Sequence, residues 1–247
     1  MNTKVAPEAI DFGLLANFTH QVINPLNGVS GTIGNLLDGT IEPHRKEQRL
    51  RAARAQLEHS ILLVRNLAYF SQISLDPRNT NPDATSKTCV LPQIVIEAAM
   101  FFQELAAHKG MKIDLLDRNT QYRIEGNPDL LRQVFMNLFD NAVKYGNKDT
   151  DVKINPWVQK NTGNLIVKIE GFSPAVPSSE RESIFRLGYR GASAKSKIAS
   201  GTGLGLHICR TIIEEVHGGS INVESSSVNG TTAFIVRFPT FVIGPDT

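Results

Sequence analysis

Cysteine is scarce in this chain: Cys89 and Cys209 are the two present in 247 residues. They stand far apart and outside any metal-ligand spacing, which argues against a disulfide framework or a zinc site and points to a reducing compartment. Long apolar runs are lacking as well. None approaches the about 18 residues of a membrane-spanning helix, and the N-terminus carries no signal-peptide pattern. The expectation is a cytoplasmic chain with no membrane segment, any membrane sensor being another chain or sequence beyond this one. An excess of one charge sign is missing too. Lys and Arg number 26 against 24 Asp and Glu, which leaves +2. With no long basic run, nucleic acid is not an expected partner.

What is present begins with two long helical patterns. Residues 8–38 carry Leu15, Phe18, Val22, Leu26, Val29, Ile33 and Leu36 at spacings of three and four, one stripe of a helix. Pro25 falls inside it, where it removes a backbone bond and is expected to bend the helix. His20 lies about 200° from Phe18 and from Val22 and points away from the stripe. Gly39–Pro43 is a turn. From His44 to Ser74, Leu50, Ala53, Leu57, Ile61, Val64 and Leu67 recur at near-heptad spacing. Two such helices make an antiparallel hairpin, and pairing two hairpins into a dimeric four-helix bundle covers both stripes. Packing of the hairpin on its own C-terminal part is the alternative.

The segment DPRNTNPDATSKT is polar and contains two prolines, so the chain divides into a helical hairpin at 1–76, a linker at 77–88 and a second domain at 89–247. The second domain is expected to open with a helix from Val90 to Lys109. MKIDLLD and QYRIEG follow as a strand hairpin, and then comes a helix between Pro128 and Gly146. Strands DVKINPWV and NLIVKIEG, a short helix at Ser179–Phe185, a glycine-led helix and a final hairpin complete it. The fold class is α+β, the second domain being a two-layer α/β sandwich with helices on one face of a mixed sheet.

Side chains suited to phosphate chemistry concentrate in that second domain. Asn137 and Asn141 stack four apart on one helix, and paired amides suit magnesium or polar ligand atoms. Lys144 and Tyr145 follow at the helix end, within reach of phosphate oxygens. Gly201, Thr202, Gly203, Leu204, Gly205 and Leu206 form a glycine-rich loop that runs into a helix, offering backbone amides to an anion; a plain hinge has the same appearance. Arg186, Arg190 and Lys195 sit in a small-residue loop that fits a basic lid or an ordinary solvated loop. His207 and His217 are expected to pack or cap, and Trp157 to sit in the sheet. His44, His59 and His108 form no constellation.

Taken in order, HQVINPLNG, NLFDNAVKY, SIFRLGYRG and GTGLGLHICRTIIEEVHGGSINVES resemble the phosphoacceptor, asparagine, phenylalanine and last glycine boxes of sensor histidine kinases. The resemblance runs from Phe18 to Pro239. It implies a GHKL-type ATP-binding domain using ATP and Mg2+, with Asn141 and also Asn137 as magnesium ligands. It further implies a homodimer, phosphorylation of His20, and transfer to an aspartate on a response regulator receiver domain. A neutral imidazole is a competent nucleophile for that step.

Two positions depart from the family pattern. The acidic residue that follows the histidine in the family is Gln21 here, which is no base near neutral pH; acid–base help is typically worth about 10²–10⁴-fold. Asn24 keeps the position associated with a hydrolytic water. The DxGxG segment is GFSPAVP, with Gly171 in place of the aspartate and Ser173 and Ala175 in place of the glycines. Val167, Ile169 and Gly171 share one strand face and Glu170 the other. Losing such a charge-assisted bond weakens nucleotide binding roughly ten- to a hundred-fold. The leading reading is a histidine kinase with reduced activity; the alternative is a degenerate phosphotransfer, phosphatase or docking module. A non-kinase ATPase of the same superfamily fits the helical hairpin poorly.

Overall fold

A computed structural model describes residues 12–75, 87–118, 122–198, 201–239 and 242–243. Most of the expected linker, residues 8–11 of the first expected helix and residues 199–200 just before the glycine-rich loop lie outside that set. Helix α1 (Phe12–Leu37) keeps Pro25 within its length, and α2 (Pro43–Leu75) runs back along it. The turn between them depends on Gly39, whose φ of 67° lets the Thr40 amide donate to the Asn35 carbonyl.

The stripe expected on α1 is divided. Phe18 is buried with Val22 beside it, whereas Leu15, Leu26 and Ile33 are exposed. On α2 the heptad positions Leu50, Leu57, Ile61 and Val64 are also exposed, while Leu62, Leu63 and Phe70 are buried. The reason is a second packing face. Phe18, Leu62, Leu63 and Phe70 join one core cluster with the C-terminal elements. The hairpin therefore does pack on its own second domain, and it still leaves a continuous apolar stripe uncovered.

The second domain starts with strand β1 (Lys87–Val90), two residues inside the stretch expected to be linker. The single helix expected over 90–109 is instead α3 (Leu91–Met100) and α4 (Gln103–Ala107), interrupted at Phe101–Phe102. The interruption turns the chain so that Phe102 and Ala106 are both buried. Strands β2 (Lys112–Leu115) and β3 (Tyr122–Gly126) do not form the expected hairpin. β2 lies parallel to β4 (Asp151–Val158), placing Ile113 and Leu115 opposite Val152 and Ile154. β3 instead pairs with β1 and with β8 (Val242–Ile243) in a three-stranded sheet. A local hairpin would deprive Ile113 and Leu115 of these buried cross-strand partners, and the distant pairing wins.

Helix α5 (Pro128–Tyr145) begins at Pro128 and stops before Gly146 as the sequence suggests, and Asn127 caps it. The Asn127 side chain accepts from the amides of Asp129 and Leu130, at 2.9 and 3.2 Å, and Pro128 needs no donor in the first turn. β5 (Leu165–Phe172), β6 (Ser220–Ser226) and β7 (Thr231–Phe238) complete a five-stranded mixed sheet in the order β2-β4-β5-β7-β6. Two 3₁₀ turns, Ser178–Glu180 and Ser183–Phe185, stand where one short helix was expected. They precede α6 (Ala192–Lys197) and α7 (Gly205–Arg210), the latter continuing as a π-helical turn over Thr211–Val216. Helices on a mixed sheet give the expected two-layer α/β arrangement.

Cap loss at α5 gives a direct test of this reading: Asn127→Ala is expected to lower unfolding stability by about 1 kcal/mol, measured by urea titration. An unchanged midpoint would contradict the cap assignment.

Candidate functional site

Two adjoining cavities open beside α5. The first, about 120 Å3, has an apolar floor of Ile169, Gly171 and Phe234 with Thr232 beside them, walled by Ala142 and Leu206. The second, about 110 Å3, is polar and is bounded by Asn137, Asp140, Asn141, Lys144, Arg190 and the glycine-rich loop. Asn141, Tyr145 and Leu206 border both. Gly201, Thr202, Gly203 and Gly205 all reach the second cavity.

Three of the expected site residues line neither cavity. Leu204 is only 1 % exposed and anchors the loop in the core, so its side chain is not a cavity wall. His20 and Asn24 are exposed and border neither cavity. Gln21, one residue on, is buried and lines the polar cavity, since adjacent helical positions are about 100° apart. Its amide donates to Asn17 Oδ1 at 2.8 Å, and Asn17 Nδ2 donates to the Gly201 carbonyl at 3.1 Å. The hairpin thus touches the glycine-rich loop directly.

Strand β5 sets the floor of the first cavity. Val167 and Ile169 are buried and Gly171 follows on the same face, opposite Thr232. Glu170 faces the other way and pairs with Lys168. A Cβ on Gly171 would meet nothing nearer than Val152 Cγ2 at 3.6 Å, so the space for a larger side chain is open. Glu180 is the acidic side chain on this cavity's lining, and it rests against Gly191 at the rim. Among the described residues nothing acidic stands at the floor.

The α5 amides do not simply face solvent. Asn66 of α2 donates from Nδ2 to Asn137 Oδ1 at 2.9 Å, and Asn137 Nδ2 donates back to Asn66 Oδ1 at 3.0 Å. Gln133 Nε2 donates to the same Asn66 oxygen at 2.8 Å. Asn137 is 3 % exposed and also donates to the Gly205 carbonyl at 3.3 Å. With the Asn137 oxygen already engaged, Asn141 and Asp140 offer adjacent hard oxygen donors at the polar cavity, a pair that suits magnesium. Among the described residues no group of three or more His, Cys, Asp or Glu gathers around a point.

Asp140 and His59 were not selected from sequence, although Asp140 directly precedes Asn141 on the helix. His59 Nδ1 lies 3.6 Å from Asp140 Oδ1. Burial alone would raise the Asp140 carboxyl; the neighbouring His59 ring and the charges of Lys144 and Lys109 outweigh it and hold the group below the usual carboxylate range. At the C-terminal end of α5, Lys109 Nζ donates to the carbonyls of Val143 and Lys144 at 2.7 and 3.0 Å. Lys197 Nζ, from α6, donates to the Tyr145 carbonyl at 2.7 Å and ties the lid down. Burial lowers the pKa of both lysines. At Gly203, with φ 69°, a Cβ would come within 2.5 Å of the Gly188 backbone, so loop and lid meet where only glycine fits. His207 bonds the Phe185 carbonyl and packs on Phe70, and His217 packs under Gly126, as expected of structural histidines.

Residues 126–241 match the family of histidine kinase-, DNA gyrase B- and HSP90-like ATPases. The sensor protein SrrB of Staphylococcus aureus (strain N315) is 26% identical over 227 residues, covering 91% of this chain and 37% of its own length. The chain thus spans little more than a third of the curated relatives it matches. Among solved structures, the catalytic domain of histidine kinase ThkA superposes with a TM-score of 0.52 at 26% identity, over 62% of this chain and 97% of that one. ThkA in complex with the response regulator TrrA gives 0.55 at 20% identity, over 92% of this chain and 61% of that one. Full-length ShkA in complex with AMPPNP gives 0.59 at 21% identity, over 97% of this chain and 47% of that one. The last two show likeness of fold.

The depressed Asp140 carboxyl carries a pH dependence of stability. Its contribution is complete above the unperturbed value of about 3.9 and is lost as pH falls through the lower folded-state value. Asp140→Asn is therefore expected to flatten the loss of thermal stability as pH falls below about 4. Parallel melting-temperature profiles for the two proteins would refute the assignment.

Proposed function

We propose that this chain, which is homologous to the catalytic core of sensor histidine kinases, uses Mg-ATP to phosphorylate His20 and passes the phosphoryl group to an aspartate of a response regulator. The observation that carries the reading is the joining of an apolar cavity to a polar one that collects Asn141, Lys144, Arg190 and the glycine-rich loop beside a hairpin bearing an exposed histidine. The apolar cavity suits a base, and the polar one suits a phosphate chain. ShkA in its AMPPNP complex and ThkA in its complex with TrrA supply the analogies for nucleotide and partner.

Each group has a definable task. Magnesium, held by Asn141 with Asp140 close by, would neutralise phosphate charge. Lys144 and Arg190 add positive charge at the same end, and the loop amides accept no protons but donate to phosphate oxygens. The His20 imidazole forms the new N–P bond as the bond to the bridging oxygen breaks. Gln21 cannot take the imidazole proton, which passes to water, and the step is slowed accordingly. The exposed stripe of Leu26 and Ile33 on α1 and of Leu50, Leu57, Ile61 and Val64 on α2 supports a homodimer through a four-helix bundle.

Gly171 and the inward-facing Gln21 favour a second reading, in which the chain retains the architecture but acts as a phosphotransfer, phosphatase or docking module. Label from γ-labelled ATP separates the two. Acid-labile, alkali-stable label that disappears in His20→Ala is expected; no label at any ATP concentration would favour the second reading. Because the floor has room for a side chain, Gly171→Asp is expected to tighten ATP binding roughly ten- to a hundred-fold by calorimetry. Unchanged or weaker binding would show that the apolar cavity is not a base site.

A further inference from the structure

The same side chain that lines the polar cavity from the hairpin also occupies the asparagine on its far wall. Asn66, 4 % exposed, exchanges two hydrogen bonds with Asn137 and accepts a third from Gln133. Gln21, Leu62 and Leu63 enter the cavity from the same direction. The hairpin is therefore a roof over the end of the site that collects Lys144 and Arg190. What it leaves is about 110 Å3 there and about 120 Å3 in the apolar part. Even together these fall below the roughly 300–1,000 Å3 of small-molecule sites. The docked hairpin also presents Gln21, not His20, to the cavity.

We propose that Asn66 is a latch that holds the hairpin over the phosphate end of the site, so that hairpin docking and binding of a magnesium–nucleotide triphosphate tail exclude one another. The proposal rests on the nucleotide-binding reading above and adds a regulatory contact to it. The three bonds that Asn66 makes to Asn137 and Gln133 exist only in the docked arrangement; on separation water or a ligand must replace them. A triphosphate with its metal supplies that alternative partner for Asn137. A nucleotide that binds only the undocked state has its apparent affinity reduced by the undocked fraction. By reciprocity, the nucleotide must weaken docking to the same degree. Phe70 against His207 and His59 beside Asp140 lie along the same helix face and open with it.

The test is calorimetric titration of the full chain and of Asn66→Ala with Mg·AMPPNP, alongside small-angle scattering of the unmutated chain. Asn66→Ala is expected to bind roughly ten-fold more tightly. In the unmutated chain, saturating nucleotide is expected to raise the radius of gyration, a readout that holds even should the variant fail to fold. Equal or weaker affinity in a folded variant overturns the latch and leaves the nucleotide site standing. Binding to the unmutated chain without expansion overturns it as well. Absence of binding to either protein at millimolar nucleotide overturns the nucleotide reading and the latch together.

Discussion

Three carboxamides buried between two domains, those of Asn66, Gln133 and Asn137, fix how the parts of this molecule meet. A buried amide atom left without a partner costs about 1–3 kcal/mol, so removing one of the three leaves polar atoms of the others to be satisfied anew. Apolar packing of Leu62, Leu63 and Phe70 tolerates sliding along the helix; the amide bridge does not. It selects one register of α2 on α5. With that register set, α1 is carried along, Gln21 turns towards the glycine-rich loop and His20 turns to solvent. The shape of the polar cavity and the accessibility of the histidine are thus consequences of a contact made elsewhere.

The exposed half of the hairpin follows from the same geometry. An α-helix in a two-layer packing buries one stripe; here α2 buries one face against its own second domain and keeps the heptad face of Leu50, Leu57, Ile61 and Val64 open. Leu26 and Ile33 on α1 extend that surface. One apolar face of this pair of helices is thus taken by the chain's own second domain, and the other stays uncovered.

Much of this was legible in the sequence where the signal is local. Spacings of three and four marked both hairpin helices, and Pro128 and Gly146 marked the ends of α5. Strand alternation placed Gly171 on the cavity face and Glu170 behind it, which the pairing with Thr232 and the Lys168 contact reproduce. What local signals do not carry is choice of partner. β2 and β3 each alternate correctly, yet nothing in either strand says that one joins β4 and the other β1. Asn66 looks like an ordinary polar position until Gln133 and Asn137 are brought opposite it by residues distant in sequence. His59 was unassigned for the same reason. Leu204, by contrast, was grouped with its glycine neighbours, although a large apolar side chain in a tight loop belongs in the core.

A double-mutant cycle on Asn66 and Asn137, read as unfolding free energy, addresses the amide bridge most directly. With each residue replaced by alanine singly and together, a coupling energy of about 1–2 kcal/mol is expected, since either single change removes both hydrogen bonds that the pair exchanges. Effects that add to within about 0.3 kcal/mol would show that the two side chains do not depend on one another, and the docked hairpin would lose its basis.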